Sequence, residues 1–181
     1  MTLLIAYRDG NATLLAADSA SSTDEGSLVV RAPMSKLWKI TSQFAIGFTG
    51  TFAIWHWIRY GYAWEHGDTS VEYLVHLAAD LVKSINKRFK EESTQFKQDW
   101  CLLLVTPTYM YSLDPFGDIE ESSDAFKTLG SAGPYAQGAL HILKNVESLS
   151  SWDKIQLAMD AAMHCDCTIR KPLDVISVQL H

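Results

Sequence analysis

The 181-residue sequence lacks the features that mark nucleic-acid, membrane and secreted proteins. Its 15 lysines and arginines are outnumbered by 21 aspartates and glutamates, so the net charge is −6, whereas phosphate binding needs a basic face. No segment approaches the roughly twenty apolar residues of a membrane span. Arg8 interrupts the first apolar run too early for a signal peptide. We therefore predict no nucleic-acid partner, no membrane partner and a cytoplasmic location.

Cysteine is also scarce, and the three that occur cannot all pair. Cys165 and Cys167 are too close together for an easy disulfide, and Cys101 is distant in sequence, so we expect free thiols. The Cys-x-Cys pair beside His164 lacks the spacing and the second pair of a structural zinc site. No glycine-rich phosphate loop occurs. We predict neither metal nor cofactor, and any use of ATP would belong to a separate partner.

The residues that are present suit a globular α+β domain spanning 1–181. Nearly half of them, 48%, are apolar, and 20% are charged. The first 18 residues contain two short apolar runs on either side of Asp9-Gly10, which is a strong hairpin signal. Such a hairpin would bring Thr2, at the start of its first strand, beside Asp18, at the end of its second.

The remaining pattern predicts strands, two helices, strands, two helices and a last strand, arranged as a layered sandwich with the helices outside. Thr69 or Ser70 is expected to cap the second helix, and Ser150 or Ser151 the fourth. The segment after Asp18 reads as a loop. The predicted helices cover 51–65, about 70–90, a segment from Pro134 and a segment after Ser151; the later strands cover 100–106, 109–113, 126–131 and 173–180.

Several local patterns resemble one family when they are taken in order. They are Thr2 near the start, 14–19 (Leu-Leu-Ala-Ala-Asp-Ser), Lys36 before an apolar strand, 47–50 (Gly-Phe-Thr-Gly) and 129–140, which contains Gly-Ser-Ala-Gly-Pro-Tyr-Ala. The chain resembles the proteasome β-subunit family of N-terminal-nucleophile (Ntn) hydrolases, and looks most like its smaller bacterial members, the HslV-type peptidases. The resemblance implies a four-layer α-β-β-α sandwich and self-association into rings.

The resemblance also implies a threonine peptidase acting on peptides or unfolded proteins. Thr2 would be the nucleophile once Met1 is removed, with its own α-amine as the base. Lys36 would place a positive charge beside Thr2, and Asp18 would orient and balance Lys36.

Three further positions complete the site that the resemblance implies. The backbone N–H of Gly50 would stabilise the oxyanion. Ser131, and Asp166 with it, would hydrogen-bond the amine of Thr2. Ser131 can also be read as a cap for the helix that begins near Pro134, and Gly50 as a simple turn glycine.

Two positions depart from the family pattern. Leu3 stands where a second small hydroxyl residue is common, and Ser19 stands where a basic residue is usual. A retained Met1 would leave the Thr2 nitrogen as an amide, which cannot act as a base. The alternatives are therefore a non-catalytic or unprocessed ring subunit, and a small-amide hydrolase on the same fold. A separate ATPase unfoldase is a possible partner of the peptidase.

Overall fold

The computed structural model describes residues 2–22, 29–64 and 70–180, which form two large antiparallel sheets, a small two-stranded sheet and helices. The strands are β1 (Leu4–Asp9), β2 (Ala12–Ala17), β3 (Ala20–Ser22), β4 (Val29–Arg31), β5 (Leu37–Lys39), β6 (Ala45–Gly50), β7 (Trp100–Val105), β8 (Met110–Leu113), β9 (Ile119–Glu121), β10 (Phe126–Leu129) and β11 (Asp174–Gln179). The helices are α1 (Phe52–Tyr60), α2 (Val71–Arg88), α3 (Thr94–Gln98), α4 (Gly133–Leu143) and α5 (Ser151–Cys165).

The first large sheet contains the predicted hairpin at its centre. Its strand order is β10-β1-β2-β11, so both strands of the hairpin have a partner on each side. Asp9 lies opposite Ala12, and Gly10 adopts a positive φ of 59° in the turn. The hairpin prediction is therefore confirmed, with the strand after Thr2 running antiparallel to the strand that leads to Asp18.

The second large sheet has the order β5-β6-β7-β8-β9 and packs face to face with the first. The alternation of side chains along each strand separates three apolar cores. Along β1 and the residue before it, Leu3 and Ile5 pack against α4 and α5, whereas Leu4 points between the two sheets. In β7, Leu103 points between the sheets and Leu104 packs toward α1 and α2. Three cores between four layers confirm the α-β-β-α sandwich.

The helices follow the predictions, with one shortened. The aromatic helix ends at Tyr60 rather than 65: Gly61 is its C-cap residue, and the N–H groups of Gly61 and Tyr62 both donate to Trp57 O, at 2.7 and 2.9 Å. Ser70 caps α2 by accepting from Tyr73 N at 3.2 Å. Ser150 caps α5. The described helices contain none that is long and apolar enough to cross a bilayer.

Four short elements, β3, β4, α3 and β9, were not predicted. The loop expected after Asp18 contains β3, which pairs with β4, and the segments 94–98 and 119–121 form α3 and β9. Elements of three to five residues give too short a pattern to be identified by periodicity. The predictions for Met1, for the rest of the loop at 23–28 and for the cap at Thr69 lie outside the described residues.

Candidate active site

Asp18 and the backbone after Thr2 meet at the open end of the hairpin. Leu3 N donates to Asp18 Oδ1 at 2.8 Å, and Asp18 N donates to Leu3 O at 3.1 Å. Thr2 is buried, with 6% of its surface exposed, and Asp18 is fully buried. The prediction that the hairpin makes Thr2 and Asp18 spatial neighbours is confirmed.

The buried Asp18 carboxylate also holds Lys36. Lys36 Nζ lies 2.8 Å from Asp18 Oδ1, and the second carboxylate oxygen accepts from Ala20 N at 2.9 Å. Lys36 O accepts from Phe48 N at 2.9 Å, which fixes the lysine backbone against β6. An ion pair at the junction of the two sheets therefore joins β2, β6 and the start of β1.

Burial lowers the pKa of Lys36 below its ordinary value, against the opposing attraction and hydrogen bond of Asp18. A second carboxylate, Asp174, also acts on Lys36 and opposes this shift. Asp174 begins β11 and lies directly opposite Ala17, the neighbour of Asp18. The sequence analysis missed Asp174, because nothing in an alternating strand shows which residue of another strand it will face.

Two glycines with positive φ allow close backbone contacts around the site. Gly50 has φ 125°, and an added Cβ would lie 2.1 Å from Asp99 O. Gly130 has φ 96°, and an added Cβ would lie 2.0 Å from Thr2 O. Residues other than glycine rarely adopt a backbone conformation with positive φ. The structure therefore brings the chain just before Ser131 against the backbone of Thr2, and Gly130 is a positioning residue that the sequence analysis overlooked.

The direction of the Gly50 N–H follows from the hydrogen bonds of β6. Thr51 N donates to Asp99 O at 2.9 Å, which makes the pair that Gly50 forms across to β7 a non-hydrogen-bonded one. The Gly50 N–H thus points away from β7, to the side on which Phe48 N donates to Lys36 O.

Ser131 lies at the N-terminal end of α4 but does not cap it. The residue at the cap position is Ala132, which has no side-chain capping bond, and Ser131 itself is exposed. The structure therefore gives no support to the capping interpretation of Ser131. A close backbone contact through Gly130 is what connects Ser131 to Thr2.

Asp166 lies in the turn that follows α5, where its carboxylate makes local contacts. Asp166 Oδ1 accepts from Thr168 N at 3.0 Å and from Thr168 Oγ1 at 2.5 Å. The same turn reaches the hairpin, because Arg170 O accepts from Ser19 N at 3.1 Å. Asp166 is thus connected to the site through the residue after Asp18, and its contacts in the structure are with its own turn.

These groups can support acyl-transfer chemistry. They provide a hydroxyl on Thr2, a buried cation on Lys36 and an N–H on Gly50 that points to the side of β6 on which Lys36 lies. Among the residues that the structure describes, no three histidine, cysteine, aspartate or glutamate side chains converge as metal ligands would. The three cysteines are free thiols.

Comparison with known proteins gives matches among solved structures only. No protein-family model matches the sequence, and no curated protein matches it. HslV from Trypanosoma brucei matches with 19% identity and a TM-score of 0.72, over 98% of this chain and 99% of that one. BPH from Thiobacillus denitrificans, solved in complex with epoxomicin, matches with 18% identity and a TM-score of 0.81, over 99% of each chain.

A third similar structure is Anbu, an ancestral β-subunit from Yersinia bercovieri, with 17% identity, a TM-score of 0.71 and coverage of 98% of this chain and 81% of that one. These identities are too low to transfer an activity, but near-complete coverage fixes the architecture. The chain has the fold of the proteasome-like Ntn hydrolases, as the order of its sequence motifs predicted.

Proposed function

We propose that this protein is an N-terminal threonine peptidase that cleaves peptides or unfolded proteins with Thr2 after Met1 is removed. The observation that carries the proposal is the buried Asp18 carboxylate, which accepts both from Leu3 N, the residue after Thr2, and from Lys36 Nζ, each at 2.8 Å. Burying a lysine costs desolvation free energy, and a lysine that is buried beside the chain terminus is well placed to act on that terminus.

In the proposed mechanism, the Thr2 hydroxyl attacks the carbonyl carbon of the scissile amide. The hydroxyl proton passes to the α-amine of Thr2, whose ordinary pKa lies near neutrality, about 7.7–8.0. Lys36 favours the neutral amine, and the Gly50 N–H donates to the oxyanion. The ammonium returns the proton to the leaving amine as the C–N bond breaks, which leaves an ester on Thr2 that water hydrolyses.

The remaining proposed residues assist the amine. Ser131 and Asp166 would hydrogen-bond the Thr2 nitrogen and orient its lone pair toward the hydroxyl. The contact of Gly130 with Thr2 O supports this role for Ser131, since Ser131 is the next residue. Asp166 is the less supported of the two, because both bonds to its Oδ1 come from Thr168.

The experiment combines intact-mass measurement with covalent labelling. We expect the purified protein to lack Met1 and to gain one adduct at Thr2 from an electrophile directed at terminal threonines, with epoxomicin as the first choice since it is the compound bound in the BPH structure. Thr2→Ala should abolish both the adduct and peptide hydrolysis. Thr108→Ala, an exposed threonine at a turn, is the matched control. A retained Met1 without an adduct would refute the proposal.

We also propose that the chain assembles into rings in the cytoplasm, with a separate ATPase unfoldase as a possible partner. The fold it shares with HslV supports this part of the proposal. Native mass spectrometry should give a particle whose mass is a multiple of the 20.2 kDa chain. A monomer at micromolar concentration would contradict it.

The alternative of a non-catalytic ring subunit rests on a retained Met1 and on the departures at Leu3 and Ser19. Both residues have structural roles: Leu3 is fully buried beneath α4 and α5, and Ser19 N donates to Arg170 O. Neither departure therefore requires a loss of activity. A substrate panel separates the other alternative, because a small-amide hydrolase would cleave short amides and leave peptides intact.

A further inference from the structure

A cavity of about 450 Å³ opens beside the ion pair of the candidate site. Its size falls in the range of about 300–1,000 Å³ that is usual for ligand pockets. Two of its lining residues, Ser19 and Ser35, are the immediate chain neighbours of Asp18 and Lys36. The other principal lining residues are Arg31, Pro33, Met34 and Asp174. A chain bound at Thr2 would therefore have this cavity within reach of its side chains.

Asp174 gives the cavity its charge. The half-buried Asp174 has no salt bridge in the part of the chain that the structure describes. Asp18 and Lys36 form an ion pair, so the charged groups among the lining residues are the half-buried carboxylate of Asp174 and the guanidinium of Arg31. Arg31 is exposed, and water screens its charge.

We propose that this cavity is a substrate subsite that selects a lysine side chain through Asp174. The apolar surface of Pro33 and Met34 would contact the methylene groups of the lysine, while its ammonium would reach the carboxylate. The lining hydroxyls of Ser19 and Ser35 can accept further hydrogen bonds from the ammonium. This inference rests on the proposed function, because it assigns the side-chain preference of the same site.

The test measures binding rather than turnover, so that it does not depend on catalysis. The full-length Thr2→Ala protein is titrated with neutral decapeptides that carry one lysine, placed at each position in turn, and with the same peptides carrying acetyl-lysine. At one position the lysine peptide should bind about tenfold more tightly than its acetylated pair, as expected for a hydrogen-bonded charge.

Adding Asp174→Asn should bring that ratio close to one, whereas Asp174→Glu should preserve a preference for lysine. Asp118→Asn, an exposed carboxylate in the turn between β8 and β9, is the matched control and should leave the ratio unchanged. Arg31→Gln should strengthen the preference or leave it as it is.

The same peptides with glutamate in place of lysine are titrated as well. Three results would overturn the inference: no position with a preference for lysine, the same ratio after Asp174→Asn, or a preference for the glutamate peptides that Arg31→Gln removes. If Asp174→Asn does not fold, the inference is still tested by the ratio of lysine-peptide to acetyl-lysine-peptide affinity in the protein with Asp174 and in Asp174→Glu. Failure of the proposed function would be seen separately, as an intact Thr2 that neither reacts with the electrophile nor cleaves peptides.

Discussion

Three donors converge on the Asp18 carboxylate, and this single residue therefore couples the two sheets to the start of β1. The donors are Leu3 N, Ala20 N and Lys36 Nζ. Each bond to a charged group contributes roughly 1.5–3 kcal/mol when its partners are buried. The cost is the desolvation of Lys36, which is visible in its lowered pKa.

The lowered pKa of Lys36 predicts how stability depends on pH. Between that pKa and 10.5, the ordinary lysine value, the unfolded chain binds a proton that the folded chain lacks, so the free energy of unfolding rises with pH through this interval. Urea unfolding between pH 8 and 10.5 should show the wild type gaining stability relative to the double variant Asp18→Asn/Lys36→Met. Other titrating groups are common to both proteins and cancel. A difference that stays flat with pH would contradict the prediction.

Gly130 predicts a test of how Thr2 is positioned. Gly130→Ala would place a Cβ against Thr2 O and keep a left-handed φ, which by itself costs about 1–2 kcal/mol. We expect a total loss of at least about 2 kcal/mol of unfolding free energy and slower labelling of Thr2.

Gly138→Ala is the matched control for this change. Gly138 lies in α4 with nothing within 4 Å of an added Cβ, so alanine there should stabilise the protein by roughly 0.5–1 kcal/mol. Equal effects of the two substitutions would show that the contact with Thr2 has no importance.

At the scale of elements, α5 supports β1, the strand that follows Thr2. Its inner face packs through Ile155 and Met159 on Leu3 and Ile5. Its N-terminus has a capping box, in which Ser150 Oγ accepts from Asp153 N at 3.1 Å and Asp153 Oδ2 accepts from Ser150 N at 3.1 Å. The stability of this helix end is thus tied to the layer that holds the candidate nucleophile.

Ser150→Ala should lower the free energy of unfolding by about 1 kcal/mol, because it leaves the N–H of Asp153 without its side-chain partner. Chemical denaturation measures the effect. Ser148→Ala, in the exposed segment before the helix, should change it by less than about 0.5 kcal/mol. A loss as large in Ser148→Ala would show that the cap is not responsible.

At the scale of the whole molecule, the core between the sheets decides whether the candidate site exists. Leu4, Leu37 and Leu103 all lie in it, and the first two flank the site residues Thr2 and Lys36 closely in sequence. If the two sheets separate, Lys36 leaves Asp18. The candidate site therefore forms only when the two sheets pack against each other.

Leu103→Ala should cost about 2–5 kcal/mol, since Leu103 is fully buried between the sheets. Leu157→Ala is the control: Leu157 is 45% exposed on α5 and should cost much less. Thermal unfolding and Thr2 labelling should fall together in Leu103→Ala. Retained stability would mean that this layer can repack around the lost side chain.

Much of the architecture could be predicted because its signals are local. The Asp9-Gly10 turn, the amphipathic stripe of α2 and the cap at Ser150 each lie within a few residues of the structure that they specify. The short elements β3, β4, β9 and α3 could not, because three to five residues give too short a pattern for periodicity to identify, even where the partner strand is a neighbour in the chain. The roles of the six predicted catalytic residues stay predictions that the labelling and mutational experiments test.

The sequence by itself determined the hairpin, the order of the layers and the candidacy of Thr2, Asp18, Lys36 and Gly50. Only the tertiary structure decided that Asp18 binds Lys36 and the N–H after Thr2, that Gly130 touches Thr2 O, and that Asp174 faces the same cavity as Ser19. Periodicity along a chain reports which way each side chain points. The residues that it meets depend on which strands become neighbours, and that is a property of the packed sheets.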